Sequence, residues 1–432
     1  MNHLNLINVK KEERYAVFLS FIYYFCLLAA YYIMRPIRDQ LAVEVGSAHL
    51  PEFFAITFIV TLLLTPAFSL LASLYPRYII LPVVYLFFIV CQFIFMLFWH
   101  DADFLSVKNL GMLFFVFVSV FNLFVVSVFW SFMTDLWVDE QARRLFPIIA
   151  LGGTLGALVG PLLTRSLVQV IGESLLMWVS ILFLVVAIIC IVLLGSWARQ
   201  YGLNRHKKDN EAALGGGMLD GLKQIFTDSF ITNMAIMMIL TDAIGTIAYV
   251  LVIDYSGWAF PQDAIAQTRF AANMDLTSNI IQIILQLTVT RWLLVRFGAG
   301  LVIAISASIV VVSSLIMAFS NDPYALVVGI FPSVALVLIV TRALAHSMIL
   351  SARETLYTLV SRNLRYKGKN AVDTVVWRAG DLLSLGSINI FRNLGVTISG
   401  FGIIWALLAA TSGWIGWRLA KRVEAGEFEE KS

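Results

Sequence analysis

Four residues near the start of the chain, Tyr24, Tyr31, Arg35 and Arg38, recur at i, i+7, i+11 and i+14. On a helix they share one face. Two guanidiniums and two phenols on one face suit an anion with planar or phosphate groups, because a guanidinium is a rigid fork of donors that matches paired oxyanions. Asp39 follows directly. Similar stripes recur further on. Asp275, Asn279, Gln282 and Gln286 fall at i, i+4, i+7 and i+11, as in a water-lined path or interhelical glue. Arg342, His346 and Arg353 share a face, with Glu354 beside the last. Thr374, Arg378 and Asp381 fall at i, i+4 and i+7, and Arg378 and Asp381 are spaced to pair. Asp242, with Thr246 and Tyr249 on its face, is either a carrier of a coupling proton or an inert hydrogen-bonded acid.

These groups do not assemble into a catalytic constellation. The chain has no Walker loop, HExxH or GxSxG pattern. Cys26, Cys91 and Cys190 lie in apolar runs without metal-ligand spacing, and His3, His49, His100 and His206 read as solvated. The expectation is a protein that is not an enzyme and needs no cofactor or metal. A net charge of +3 gives no reason to expect a nucleic-acid partner.

The elements that must position these side chains follow from hydropathy. Of 432 residues, 60% are hydrophobic and 13% charged, against about 50% and about 25% in a soluble domain. The excess lies in runs of roughly 20 residues, the length that crosses the hydrocarbon core as a helix. A backbone in lipid must satisfy its own hydrogen bonds. A β-barrel would show alternating segments of about ten residues, whereas runs such as 174–197 are continuous.

Twelve spans are predicted. They cover 15–45, 52–74, 78–99, 108–135, 144–170, 174–197, 227–254, 271–296, 298–320, 323–359, 369–392 and 396–418. The first contains Pro36, which frees a carbonyl one turn back. It either runs through to 45 or stops near Met34, leaving both arginines at the headgroups. Lys10, Lys11 and Arg14 before this run resemble a signal peptide, but the apolar stretch continues through Tyr31 and Tyr32, so it reads as an uncleaved helix. The stretch 199–217 is polar, then basic, then Gly-Gly-Gly, which suggests a linker. The expected organisation is an N-terminal six-helix half at 1–197, a cytoplasmic linker at 198–226 and a C-terminal six-helix half at 227–432. The fold class is an all-α membrane protein.

The halves echo each other. In the first, FWSFMTDLW, which contains Asp135, leads into the basic turn Arg143–Arg144 and a glycine-bearing helix. In the second, LSARETLYTLV leads into a turn with Arg365, Lys367 and Lys369. Gly152, Gly156 and Gly160 stand at four-residue steps and are followed by Pro161, a pattern that lets another helix approach closely.

Three blocks carry a family resemblance. They are YYIMRPIRD in the first span, the stretch FNLFVVSVFWSFMTDLWVDEQARRLFPIIALGGTLGALVGP at 121–161, and ARETLYTLVSRNLRYKGKNAVDTVVWRAGD at 352–381. They resemble the matching regions of the bacterial nucleotide (ATP:ADP or NTP:NDP) antiporters, a branch of the major facilitator superfamily. The resemblance implies the major facilitator architecture and exchange of nucleotides across a membrane. It places Arg35 and Arg38 at the family's basic pair, with Arg38 where a lysine is usual, and Asp39 at the acid that follows. Lys367, Lys369 and Asp373 match the second-half turn. Where the antiporters carry an acid in the fourth helix, this chain has Ser119 and Asn122.

The expectation is a secondary transporter that moves an organic anion, with nucleotides as candidates, by alternating access. Arg35, Arg38, Tyr24, Tyr31, Arg342, His346, Arg378, Asp275 and Asn279 would meet the substrate. Asp39, Asp135, Arg143, Arg144, Asp242, Arg353, Glu354, Lys367, Lys369, Asp373 and Asp381 would gate or couple. A flippase for lipid or envelope precursors on the same fold, and a non-transporting scaffold, are the rival readings. The partners would be a small anionic substrate and membrane lipid, with the protein monomeric in the bacterial inner membrane. Lys and Arg set orientation. Arg143, Arg144, Arg205, Lys207, Lys208, Lys367 and Lys369 fall on one side of the spans, and Lys108, Arg165, Arg269 and Arg392 on the other. Both termini are therefore expected in the cytoplasm. Reporter fusions at Lys208 and Lys431 should both read cytoplasmic, and a periplasmic signal from either would end the twelve-span topology.

Overall fold

The computed structural model describes residues 9–74, 77–99, 106–137, 139–200, 219–320, 322–327, 330–361, 364, 368–369 and 372–428, apart from the side chains at 65–74, 77–79, 135, 139–140, 143, 219–222 and 374. The elements are almost entirely helical. They are α1 (Arg14–Val45), α2 (Leu50–Leu74), α3 (Arg77–Leu97), α4 (Val107–Leu136), α5 (Asp139–Gln200), α6 (Leu219–Thr227), α7 (Ser229–Ala259), α8 (Ala264–Ile284), α9 (Arg291–Ala318), α10 (Ser333–Leu344), α11 (Leu350–Thr358), α12 (Trp377–Asn393) and α13 (Ile398–Glu424).

Nine stretches of the described residues are long and apolar enough to cross a membrane. Two of them, 144–200 and 264–318, are double length. Each is broken by a glycine in a left-handed conformation, Gly172 (φ 74°) and Gly298 (φ 77°), where a side chain would be strained. Those two breaks divide the nine stretches into eleven helices, and the helical stretch 372–393 lies where the eleventh span was expected.

Helix α1 passes through Pro36 and ends at Val45, so the alternative of a stop near Met34 does not hold. Its 32 residues span about 48 Å at 1.5 Å per residue, well beyond the hydrocarbon thickness. Predicted boundaries move, and α8 starts at Ala264 where the eighth span was expected from 271. The tenth span was expected from 323, but Leu326 and Val327 pair antiparallel with Pro332 and Phe331, and α10 starts at Ser333. Pro332 is the extended residue capping that helix; its ring fixes φ and removes the N–H that an upstream turn would need.

The chain gathers into two compact units. One comprises 1–46, 55–209 and 260–276, and the other 47–54, 210–259 and 277–432. In the first unit α1 is the central helix, packed on α4 and α5. The glycines of α5 account for how closely. A Cβ at Gly152 would stand 2.3 Å from the Phe21 carbonyl oxygen, one at Gly156 2.3 Å from that of Phe25, and one at Gly160 2.7 Å from Tyr32 Cβ. The two backbones touch along three turns. Thr164 and Ser180 then donate hydrogen bonds to the α1 carbonyls of Ile33 and Ala30 at 3.4 and 3.1 Å. Tyr23 and Tyr85 join hydroxyls at 2.6 Å.

In the second unit α13 lies along α9 and α7. Gly402 meets the backbone of Ser314, while Gly413 and Gly416 accept Ala307, Ile303 and Met237. Among the described residues π turns interrupt the helices at Leu285–Thr290, Ala345–Ile349 and Val372–Val376. Each widens the helix locally and shifts the face presented after it.

The glycine contact is testable. Gly156→Leu must push α1 off α5, because even its Cβ has no room. Overpacking of this kind costs about 1–3 kcal/mol or more, so folded yield in detergent should fall sharply. Normal yield and melting temperature for this variant would disprove the close contact.

Candidate functional site

In the first unit, α1 carries the aromatic and basic stripe. Tyr24 is buried and stacks on Phe129 of α4 at 4.2 Å, with Trp130 edge-on at 5.5 Å. Its ring also fills the space that a side chain at Gly153 would need. Tyr31 is buried against Tyr32, with ring centroids 5.0 Å apart. The two phenols are thus held by aromatic packing.

The two arginines differ. Arg38 donates from Nε and Nη2 to Asp39 Oδ1 at 3.0 and 2.7 Å, reaches Ser119 at 3.5 Å and lies 4.7 Å over the Phe115 ring. Arg35 is less committed. Its Nη1 is 3.4 Å from Asp275 Oδ1, and its guanidinium lies 5.7 Å from the Tyr32 ring centre. Arg35 Nε is buried and makes no hydrogen bond among the described residues. A strong guanidinium–carboxylate contact closes to about 2.8 Å and is often bidentate; this one does neither. The Arg35 side chain is 15% exposed and that of Asp275 2%. Asn279, one turn beyond Asp275 on α8, is also buried.

A second cluster of this unit lies at the start of α1. Glu13 accepts from Arg144 at 2.5 and 2.8 Å and from Gln141 at 2.8 Å. Burial by itself would raise the Glu13 pKa, but these donors and the nearby guanidinium outweigh it and hold the carboxyl below its ordinary value. Glu13 was not singled out from sequence. Its signal was an acid beside the basic start of an apolar run. Asp135 and Arg143, expected to act with Arg144, have side chains outside the described residues.

In the second unit, the stripe on α7 meets α12. Thr246 donates to Asp381 Oδ1 at 3.0 Å, and Arg378 Nη1 is 3.6 Å from Asp381 Oδ2. Asp242 makes side-chain contact with Asp381 and Trp377, and its Oδ2 is 3.6 Å from where a Gly380 Cβ would stand. Arg342 of α10 lies over Tyr249 of α7 at 5.5 Å. Arg342, His346 and Arg353 were read as one face. The π turn at 345–349 lies between them. His346 is exposed within it, while Arg353 is buried in a different cluster.

That cluster gathers several expected gating residues. Arg353 donates to Asp373 at 2.7 Å and to Glu354 at 2.8 Å, and Lys369 donates to Glu354 at 2.5 Å. The Tyr357 ring lies 6.0 Å from the Arg353 guanidinium and 5.8 Å from the Lys369 ammonium. Two cations and two carboxylates thus share one aromatic platform. Lys367 and the side chain of Thr374 lie outside the described residues. Tyr32, Phe115, Tyr357 and Trp377 escaped sequence reasoning, because a single aromatic carries no periodic signal.

Residues 16–370 match the family model described as Major Facilitator Superfamily. No curated protein matches the sequence. The fold is similar to that of the nucleoside transporter NupG, at 17% identity over 97% of this chain and 99% of that one, with a TM-score of 0.62. It is also similar to a bacterial homologue of the iron transporter ferroportin in an inward-facing state, at 12% identity, 96% and 99% coverage and a TM-score of 0.63. A POT family transporter superposes with a TM-score of 0.62 at 12% identity, over 94% of this chain and 96% of that one.

The Glu13 cluster predicts a pH effect. A carboxyl whose folded pKa is depressed stabilises the fold fully above its ordinary value of 4.5, and that contribution is lost as pH falls through the lower folded value. Thermal melts in detergent should therefore show wild type losing stability below pH 4.5, with Glu13→Gln less stable at neutral pH and flatter in acid. Superimposable profiles for the two proteins would refute this role.

Proposed function

This chain belongs to the Major Facilitator Superfamily, and from that premise we propose that the secondary transporter it forms moves an organic anion, a nucleotide or another phosphorylated compound. The observation that carries the reading is the incomplete pairing of Arg35. A buried guanidinium is costly unless its donors are used. Arg38 meets that requirement through Asp39. Arg35 has a long contact to one carboxylate and an unused Nε. An oxyanion arriving at Arg35 gains charge-assisted hydrogen bonds and displaces little.

The resemblance of YYIMRPIRD and of the 121–161 and 352–381 stretches to the nucleotide antiporters supports a nucleotide as the anion. In this reading substrate binding competes with Asp275 for Arg35, so that arrival of the anion loosens the tie from α1 to α8. The moving parts of alternating access are the halves 1–197 and 227–432, joined through 198–226. The charge bias of the connecting segments supports a bacterial inner-membrane location with both termini in the cytoplasm. The Arg353–Glu354–Lys369–Asp373 cluster and the Glu13–Arg144 pair serve as charge locks near helix ends.

Uptake of a labelled nucleotide panel into proteoliposomes tests the substrate class. Arg35→Ala should leave folding and insertion largely intact and reduce binding about ten- to a hundred-fold, the equivalent of about 1.5–3 kcal/mol for a hydrogen bond to a charged group. Arg35→Lys should restore part of this, because an ammonium lacks the bidentate fork. Arg38→Ala, by contrast, leaves Asp39 buried without its partner and should reduce the yield of folded protein. Normal nucleotide binding by well-folded Arg35→Ala would overturn the assignment.

A further inference from the structure

The packing of α13 along α9 leaves an exposed groove that anion transport does not require. Its volume is about 550 Å³, inside the range of about 300–1,000 Å³ in which small molecules bind. Ala304, Ala307 and Ser308 of α9 form one wall, and Gly413, Trp414 and Trp417 of α13 form the other. The floor is tight, since a Cβ at Gly413 would stand 2.4 Å from Ala307 Cβ. Ser308 donates its hydroxyl to the Ala304 carbonyl at 2.8 Å, so the middle of the groove presents an apolar surface. At one end the two indoles remain open, Trp414 55% and Trp417 37% exposed.

That end is also positive. The Arg418 guanidinium lies 4.8 Å over the Trp414 ring, and the Lys421 ammonium 4.0 Å over the Trp417 ring. Both cations are exposed, and neither meets a carboxylate among the described residues. Arg422, one residue on, shows the alternative: it donates to Glu427 at 2.7 and 2.5 Å and to Ser229 at 3.0 Å. The one acid of α13, Glu424, is turned to α9, where its Oε1 stands 2.6 Å from the Cβ position of Gly298. The apolar run of α13 ends where Arg418 and Lys421 begin. The indoles therefore stand where hydrocarbon gives way to headgroups, the depth that tryptophan favours. From Gly413 to Lys421 the helix rises about 12 Å, so the groove and its cations follow one another along the depth of the membrane.

We propose that the groove between α9 and α13 is a binding site for an anionic phospholipid. An acyl chain lies between Ser308 and Trp414, and the headgroup phosphate sits at Arg418 and Lys421. A flat helix face touches a lipid chain on one side. A recess holds it between two helices and gains dispersion contacts on both. The charge selects the headgroup: a net negative lipid keeps its full attraction to two cations, whereas a zwitterionic one brings its own ammonium. A soluble phosphate would meet the cations but leave the groove unfilled. A second copy of this chain, docked through the same face, would bring like charges together, which is costly. The bound lipid ties the end of α13 to α9 and so steadies the second unit.

Native mass spectrometry and thermal melts of the delipidated full-length protein in detergent test this, with phosphatidylglycerol as the probe. Wild type should retain phosphatidylglycerol and melt at a higher temperature in its presence, because a ligand of the folded state stabilises it. Phosphatidylcholine with the same chains should bind several-fold more weakly. Arg418→Gln and Lys421→Gln should each weaken phosphatidylglycerol binding about five-fold, and the double variant about thirty-fold. Ser308→Phe changes an exposed position and fills the groove. It should weaken binding with both cations in place and leave the melting temperature of the lipid-free protein unchanged. Equal retention of the two lipids by wild type overturns the proposal, and so does inorganic phosphate that protects wild type as well as phosphatidylglycerol does. These two results need no variant, so a misfolded variant does not shield the idea. Phosphatidylglycerol binding unchanged in either the double variant or Ser308→Phe also overturns it. A lipid-free dimer that Ser308→Phe dissociates would give the groove to a second copy and reject the lipid.

Discussion

The first unit depends on one contact, the meeting of two helix backbones along the glycine stripe of α5. In lipid there is no hydrophobic drive to bring helices together, since the solvent is as apolar as the side chains. What remains is dispersion at short range and hydrogen bonding. Gly152, Gly156 and Gly160 let α1 come close enough for its carbonyls at Phe21 and Phe25 to occupy the places that side chains would take. Once α1 is held there, Thr164 and Ser180 can reach the carbonyls of Ile33 and Ala30. The rest of the α1 face is then oriented: Tyr24 turns to Phe129, Arg38 to Phe115 and Ser119, and Arg35 to Asp275.

The buried charges divide by how completely they are satisfied. Arg38 with Asp39, Arg144 with Glu13, and Arg353 with Asp373 and Glu354 make short hydrogen bonds of the charge-assisted kind. Such groups hold structure, because removing one partner strands the other. Arg35 and Asp242 are different. Each has a buried polar atom without a partner among the described residues, Nε in one case and Oδ2 in the other. In the proposed function an incoming oxyanion supplies the acceptor that Arg35 Nε lacks.

The irregular backbone has a similar logic. Gly172 and Gly298 turn two double-length apolar runs into pairs of crossings. The π turn at Ala345–Ile349 divides the polar face of the tenth crossing in two. Arg342 on one side goes to Tyr249 of α7, and Arg353 on the other goes to Asp373, Glu354 and Tyr357. One stripe in the sequence thereby serves two clusters.

The sequence by itself determined that the chain is an all-helical membrane protein and where most of its apolar helices lie, because each helix in lipid must satisfy its own backbone and must be long enough to span. It also identified the glycine stripe and the embedded charges, since both are local patterns with a helical period. What it left open was which side chain meets which. Nothing in the spacing of Arg35 and Arg38 says that one closes onto the adjacent Asp39 while the other reaches Asp275. Nor does it say that Thr246 of α7 would donate to Asp381 of α12. Even the face shared by Arg342 and Arg353 was an artefact of assuming an unbroken period of 3.6 residues. Periodicity is set within one helix. Pairing is set by the rotation and depth at which two helices dock, and those are decided by close packing between segments far apart in the chain.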